Sequence, residues 1–119
     1  MTTALTAAAL VGIGGSLGAV ARHAVGLRVA GRRSLLLVNT VGSLALGGIL
    51  AAPLAQTATL LFGVGFCGAF TTFSSLAVGT VRSAGRDGVR SGAVLAGSTL
   101  VAALAGFLLG SLLVGRLVG

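Results

Sequence analysis

Four long, uncharged, apolar stretches constrain this chain more than any single motif. They occupy approximate positions 4–25, 35–52, 58–81 and 91–115. A helix rises about 1.5 Å per residue, so roughly 20 apolar residues cross a hydrocarbon core of about 30 Å. Each stretch is of that order, and together they fill most of the 119 residues. Charged residues make up 8% of the chain, where a soluble domain carries about a quarter. Too few polar side chains remain to coat a water-facing surface. The expected fold class is an all-α membrane protein, a bundle of four transmembrane helices forming one domain over positions 1–119.

The connections are short. Arg28, Arg32 and Arg33 part the first two stretches, and Arg82, Arg86, Asp87 and Arg90 form a charged loop between the last two. Between them PLAQT, Pro53 to Thr57, holds the only proline and reads as a tight turn. Connections this short make sequential spans antiparallel neighbours. The first span lacks a basic leader and runs past a plausible cleavage point, so it is read as a retained helix.

Charge then orients the bundle. All eight basic residues are arginine and Asp87 is the only acid, for a net +7. Such an excess can signal nucleic acid, but that reading needs a soluble core beneath the basic face. Mapped onto the spans, Arg22, Arg28, Arg32, Arg33, Arg82, Arg86 and Arg90 fall on one side and Arg116 alone on the other. The positive-inside rule places the charged loops in the cytoplasm and both termini outside, in a multi-pass protein of the cell membrane. A single acid excludes paired-carboxylate catalysis, and the absence of lysine excludes a Schiff base. One Cys and one His permit no disulfide within the chain and no His/Cys metal cluster. Cys67 reads as a small buried thiol and His23 as an interfacial polar residue. No enzyme is expected.

Glycine is abundant, 21 of 119 residues, and between membrane helices small residues let backbones approach. Gly14-xxx-Gly18, Ser43-xxx-Gly47, Gly106-xxx-Gly110 and Ser111-xxx-Gly115 all carry that spacing. The run GIGGSLG over Gly12–Gly18 does not fit GxGxxG, follows no strand and has no acid about 20 residues on. It is not read as a nucleotide loop.

The third span departs from the pattern. Residues 62–75 read FGVGFCGAFTTFSS, with Phe62, Phe66, Phe70 and Phe73 beside Thr71, Thr72, Ser74 and Ser75. Hydroxyls and loosened backbone at mid-membrane depth are tolerated when buried in protein or facing water. Gly68 is a plausible break point whose freed carbonyls would be hard oxygen ligands for a small hard cation. The plainer reading is a phenylalanine packing stripe with hydroxyls bonded back to their own helix. Phenylalanine edges are also electropositive and can face an anion. Asn39, an amide inside the second span, either makes an interhelical hydrogen bond or lends its N–H groups to an anion.

Three segments, GGSLGAVARH (Gly14–His23), LLLVNTVGSLALG (Leu35–Gly47) and GFCGAFTTFSS (Gly65–Ser75), carry a resemblance to the Fluc (CrcB) family of fluoride channels over essentially the full length. The resemblance implies four-span subunits that pair as antiparallel (inverted) dimers, with fluoride pores along the interface and a third helix broken mid-membrane. It implies a structural, untransported Na+ at the dimer centre, held by backbone carbonyls that match Gly68 and Thr71 here. Asn39 matches the pore asparagine, Phe73 the first of two pore phenylalanines, and Arg22 the arginine near the vestibule. Thr72 and Ser74 accompany them along the pore, and Ser98 or Thr99 are the mid-span hydroxyls of the fourth helix. Fluoride would leave the cell passively, down its gradient, along a series of modest donors.

Two departures narrow this. The family pattern TTFSxF is here TTFSSL, with Leu76 in place of the second pore phenylalanine. The arginine asymmetry also forbids insertion both ways up. Together they imply one half of a heterodimer whose partner is a second family member of opposite orientation. The rival readings are a non-conducting structural partner subunit and a small multidrug exporter. The exporter needs a membrane-embedded carboxylate that this chain lacks.

Overall fold

A computed structural model describes residues 3–119, and among them all regular structure is helical. Thr3 opens α1 (Ala4–Arg28), its side chain accepting the Thr6 amide. After a turn at Gly31, whose φ of 65° suits a residue without Cβ, α2 covers Arg32–Ala51. It stops short of Pro53, which has no N–H to continue the ladder. The third span, Gln56–Asp87, comes in two halves. The first contains α3 (Gln56–Ala58), a π-helical stretch (Thr59–Cys67) and α4 (Gly68–Phe70); the second is α5 (Phe73–Asp87). Finally α6 covers Val89–Val118. Four helical segments are thus long and apolar enough to cross a membrane, as expected, and the molecule's longest dimension of 50 Å spans core and headgroups together.

Two sequence expectations are corrected. Arg82, Arg86, Asp87 and Arg90 do not form a loop: the helix persists to Asp87 and resumes at Val89. The chain turns on Gly88 alone, at φ 97°. Charged residues beyond the hydrocarbon remain good helix formers, so hydropathy marks where the lipid ends and not where the helix does. Nor are all sequential spans neighbours. Contacts between α1 and α2 are sparse; α1 packs mainly on the first half of the third span, while α2 packs mainly on α6.

Glycine explains those pairings. A Cβ on Gly14 would collide with the Leu61 carbonyl, and one on Gly18 with the Phe66 carbonyl. From the facing side, a Cβ on Gly65 would lie 2.9 Å from the Val11 oxygen. Likewise Gly47 abuts the Phe107 carbonyl and Gly110 the Leu44 carbonyl. Backbone therefore lies on backbone at both contacts, and only glycine permits it. By contrast, a Cβ on Gly115 meets nothing within 4 Å, so the Ser111-xxx-Gly115 spacing makes no such contact in this chain.

The interior is correspondingly unlike a soluble core. The apolar side chains buried in it are Val38, Cys67 and Leu95, beside the polar Asn39, Thr72, Ser83 and Thr99. Leucines and valines cover the outside instead. In lipid this is the favourable arrangement, because polar groups must find partners inside the protein.

Candidate functional site

The third span breaks at its midpoint. Thr71 (φ −78°, ψ 158°) and Thr72 (φ −149°, ψ 115°) are extended, with helix on both sides. Gly68, the expected break point, is itself helical at φ −60°, ψ −37°. The break falls three residues later because the Thr71 amide still closes a helical turn onto the Cys67 carbonyl, at 3.0 Å. The Thr71 hydroxyl doubles that bond at 2.8 Å, as the plainer reading of the hydroxyls anticipated. One residue on, the Thr72 amide leaves the ladder.

Asn39 captures it. Its Oδ1 accepts the Thr72 amide at 2.7 Å, and its Nδ2 donates to the Thr72 carbonyl at 3.2 Å. Asn39 is only 7% exposed, so these bonds replace water for both partners. An amide side chain matches a backbone peptide donor for acceptor, which no other residue on α2 near this depth can do. The interhelical hydrogen bond is therefore real, and one Nδ2 hydrogen is left over. Thr72 then caps α5, its Oγ1 accepting the Ser75 amide at 3.2 Å. The positive end of the α5 dipole thus lies at mid-membrane depth. Arg22, half-buried on α1, reaches the same place, its Nη1 donating to the Thr71 carbonyl at 3.4 Å.

Beside the break lies a groove of about 200 Å³. Asn39, Thr71, Thr72, Phe73, Leu76 and Thr99 all line it, with Ser43, Leu100 and Ala103 completing the wall. Phe73, 83% exposed on this single chain, stands at its edge. Phe66 and Phe70 stack together at 5.8 Å on the other side of the break, so the four phenylalanines do not form one stripe. Of the fourth-helix hydroxyls, Thr99 lines the groove, 1% exposed and with its Oγ1 unpartnered. Ser98 lies outside the lining and bonds back to the Leu95 carbonyl at 3.3 Å. Adjacent residues point about 100° apart on a helix, and only the rotation of α6 against α2 selects between them. Ser74, whose Oγ is 3.4 Å from that of Thr72, lines a second cavity beyond the break. Ser43 was missed, although it lies one turn from Asn39 on the same face.

No group of three His, Cys, Asp or Glu side chains gathers among the described residues, so a cation here would rest on backbone oxygens. The break supplies them. The Thr72 amide, which an unbroken helix would direct to the Gly68 carbonyl, is bound to Asn39 instead. Gly68 is exposed, with open space where a Cβ would stand. The Thr71 carbonyl carries only the long Arg22 contact. Hard, uncharged oxygens of this kind fit a small hard cation. Two from one chain do not by themselves complete a shell.

A family model described as CrcB-like protein, Camphor Resistance (CrcB), matches residues 9–111. A protein of Natronomonas pharaonis named fluoride-specific ion channel FluC 2 is 53% identical over 110 residues, 90% of this chain and 93% of the relative. A FluC 2 of Haloarcula marismortui is 44% identical over 106 residues, 87% and 89% of the two chains. A FluC 1 of the same organism is 44% identical over 77 residues, 60% and 61%. The matched span contains the helix break, the asparagine that holds it and the whole groove, and on that ground this chain belongs to the CrcB family, whose named relatives are ion channels and not enzymes.

Proposed function

We propose that this chain is a subunit of a fluoride-specific channel that lets fluoride leave the cell passively. The observation that carries the reading is the mid-membrane break pinned by Asn39 beside a groove that holds Phe73 and the unpartnered Thr99 hydroxyl. Fluoride is small and strongly hydrated, so a pore must replace its water with several donors, none of which grips too tightly. The second Nδ2 hydrogen of Asn39, the Thr99 hydroxyl, the paired Thr72 and Ser74 hydroxyls and the Phe73 ring edge are of that kind. Arg22 adds positive potential without lying in the groove lining. The names of the relatives support fluoride as the ion.

The functional unit is an antiparallel dimer, with the exposed Phe73 and Gly68 meeting a partner. A structural sodium ion at its centre would be held by the Gly68 and Thr71 carbonyls and would make the neighbouring path attractive to anions. The partner is a second family member inserted the other way up. Seven arginines against one allow this chain a single orientation, charged loops in the cytoplasm and termini outside. Haloarcula marismortui carries both a FluC 1 and a FluC 2, which supports pairs of unlike subunits. The test is release of trapped fluoride from liposomes holding both subunits, with chloride retained; no release by the pair would refute the proposal. Fast release by this chain alone would refute the heterodimer.

A second reading, a structural subunit whose own groove does not conduct, is favoured by Leu76. It lies three residues from Phe73, on the same side of α5 and in the groove wall, where an aliphatic side chain has no electropositive edge. Leu76→Phe is expected to raise fluoride release by the pair. An unchanged rate would favour the structural reading.

The fourth-helix donor has its own test. Thr99→Val keeps the shape and removes a buried hydroxyl that has no partner, a group that costs about 1–3 kcal/mol to bury. The variant is expected to be as heat-stable as the parent, or more so, while fluoride release falls. Ser98→Ala is expected to leave release nearly unchanged. The reverse ranking in the flux assay would return the role to Ser98.

A further inference from the structure

Gly42 lies buried inside α2, one turn beyond Asn39 on the same face. Alanine would be the better helix former there, so the glycine calls for a reason. At Gly47 and Gly48 the nearest neighbours of an added Cβ belong to α6, whereas at Gly42 they belong to the third span. A Cβ on Gly42 would collide with the γ-methyl of Thr71 and come within 3.2 Å of Cδ2 of Phe70. The missing side chain therefore leaves a notch in α2, and Thr71, the first extended residue of the break, fills it.

The occupants of the notch have little room to yield. Thr71 is β-branched, so its methyl and hydroxyl turn together about one bond. The hydroxyl is committed to the Cys67 carbonyl at 2.8 Å, and a rotation that empties the notch breaks that bond. The Phe70 ring is stacked on Phe66. If the side chains stay, the backbone must move, and its next residue is held by Asn39 at 2.7 and 3.2 Å. The break is thus gripped twice from one face of α2: Asn39 takes the peptide groups of Thr72, and Gly42 takes the methyl of Thr71. At Gly63, by comparison, a Cβ would lie 3.4 Å from Ile49 and 3.5 Å from Leu46, which is ordinary side-chain contact.

We infer that Gly42 is a positioning residue for the ion path, touching no ion itself and fixing the place of the break through Thr71. The bonds of Asn39 select which peptide leaves the helix. The notch sets how closely that peptide approaches α2, and so where Thr72 and Phe73 stand in the groove. This seat does not depend on what the groove conducts; only its effect on fluoride release rests on the channel proposed above.

Removing and restoring the notch tests it. Gly42→Ala should slow fluoride release by the paired subunits about tenfold or more. In the chain alone in detergent, amide exchange over residues 71–75 should quicken by a similar factor while α1 is unchanged. Thr71→Ser removes the obstructing methyl and keeps a hydroxyl for Cys67. Added to Gly42→Ala, it should restore most of the lost protection and release, so that two changes do less harm than one. Added to Asn39→Ala it should restore neither, because there the break lacks bonds and not room. If Gly42→Ala does not fold, the double variant should still recover a monodisperse species with a protected break. Parental exchange in Gly42→Ala overturns the inference, as does a double variant no better than the single. Exchange that rises equally in every helix, or equal rescue of Asn39→Ala, also overturns it. A parent pair that releases no fluoride refutes the channel proposal instead, and leaves the exchange result to decide the role of Gly42.

Discussion

Asn39→Ala is expected to abolish fluoride release by the paired subunits and to destabilise the chain at the same time. The substitution removes both bonds that hold the break, at 2.7 and 3.2 Å. It leaves the Thr72 amide and carbonyl buried without partners, at about 1–3 kcal/mol for each group. The amide then has a nearby alternative in the Gly68 carbonyl, so the third span is expected to close toward a continuous helix. That would withdraw the freed carbonyl and turn α5 relative to α4, carrying Phe73 and Leu76 away from the groove. Fluoride electrode traces from liposomes and the midpoint of thermal aggregation in detergent measure the two effects. Asn39→Asp is expected to do no better: a carboxylate at a position 7% exposed loses its hydration with no cation to pair with, so neither flux nor stability should recover. Alanine at this position with parental flux would show that the break does not depend on Asn39.

Gly110→Ala is the second large effect, expected on assembly before any question of conduction arises. One methyl at Gly110 would fall onto the Leu44 carbonyl, and one at Gly47 onto the Phe107 carbonyl. Neither obstacle is the movable end of a side chain. Both are backbone, so α2 and α6 must separate, and overpacking of this kind costs about 1–3 kcal/mol or more. This is also the contact that sets Asn39 and Thr99 against one groove, so a shift of α6 displaces the site directly. Size-exclusion profiles in mild detergent should show loss of the monodisperse species for Gly110→Ala and for Gly47→Ala. Gly115→Ala supplies the comparison. Its Cβ enters open space, and alanine favours a helix over glycine by about 0.5–1 kcal/mol, so it should be neutral or stabilising. Equal behaviour of Gly110→Ala and Gly115→Ala would remove glycine packing as the reason for the α2 and α6 pairing.

These variants mark how far the residues could be read in advance. Hydropathy located all four spans because the cost of placing charge in hydrocarbon acts on each residue where it stands. It misjudged the Arg82–Arg90 segment because a charged residue at the membrane surface can remain helical, and only Gly88 turns the chain there. Small-xxx-small spacing identified Gly14, Gly18, Gly106 and Gly110 as contact positions. It could not separate them from Gly115, since the spacing is the same whether or not a neighbour is present. Asn39 and the threonine pair stood out as polar groups at apolar depth, yet nothing in either segment states that one binds the backbone of the other. That pairing joins residues 33 positions apart. It also moves the break from Gly68, the flexible residue, to Thr71 and Thr72, the ones with a partner waiting.

What could be read from the order of residues alone was therefore whatever depends on local composition: membrane residence, the number of spans, the side on which arginine collects, and family membership through three motifs. Tertiary structure decided the rest. It paired α1 with the third span and α2 with α6, set Asn39 against the backbone of Thr72, and chose Thr99 over Ser98 for the groove. The physical reason is the same in each case. Partition into lipid is a sum over single residues, while a groove or a clamp depends on the rotation and distance between helices. Those are set by where two backbones can touch, and that is known only once both are in place.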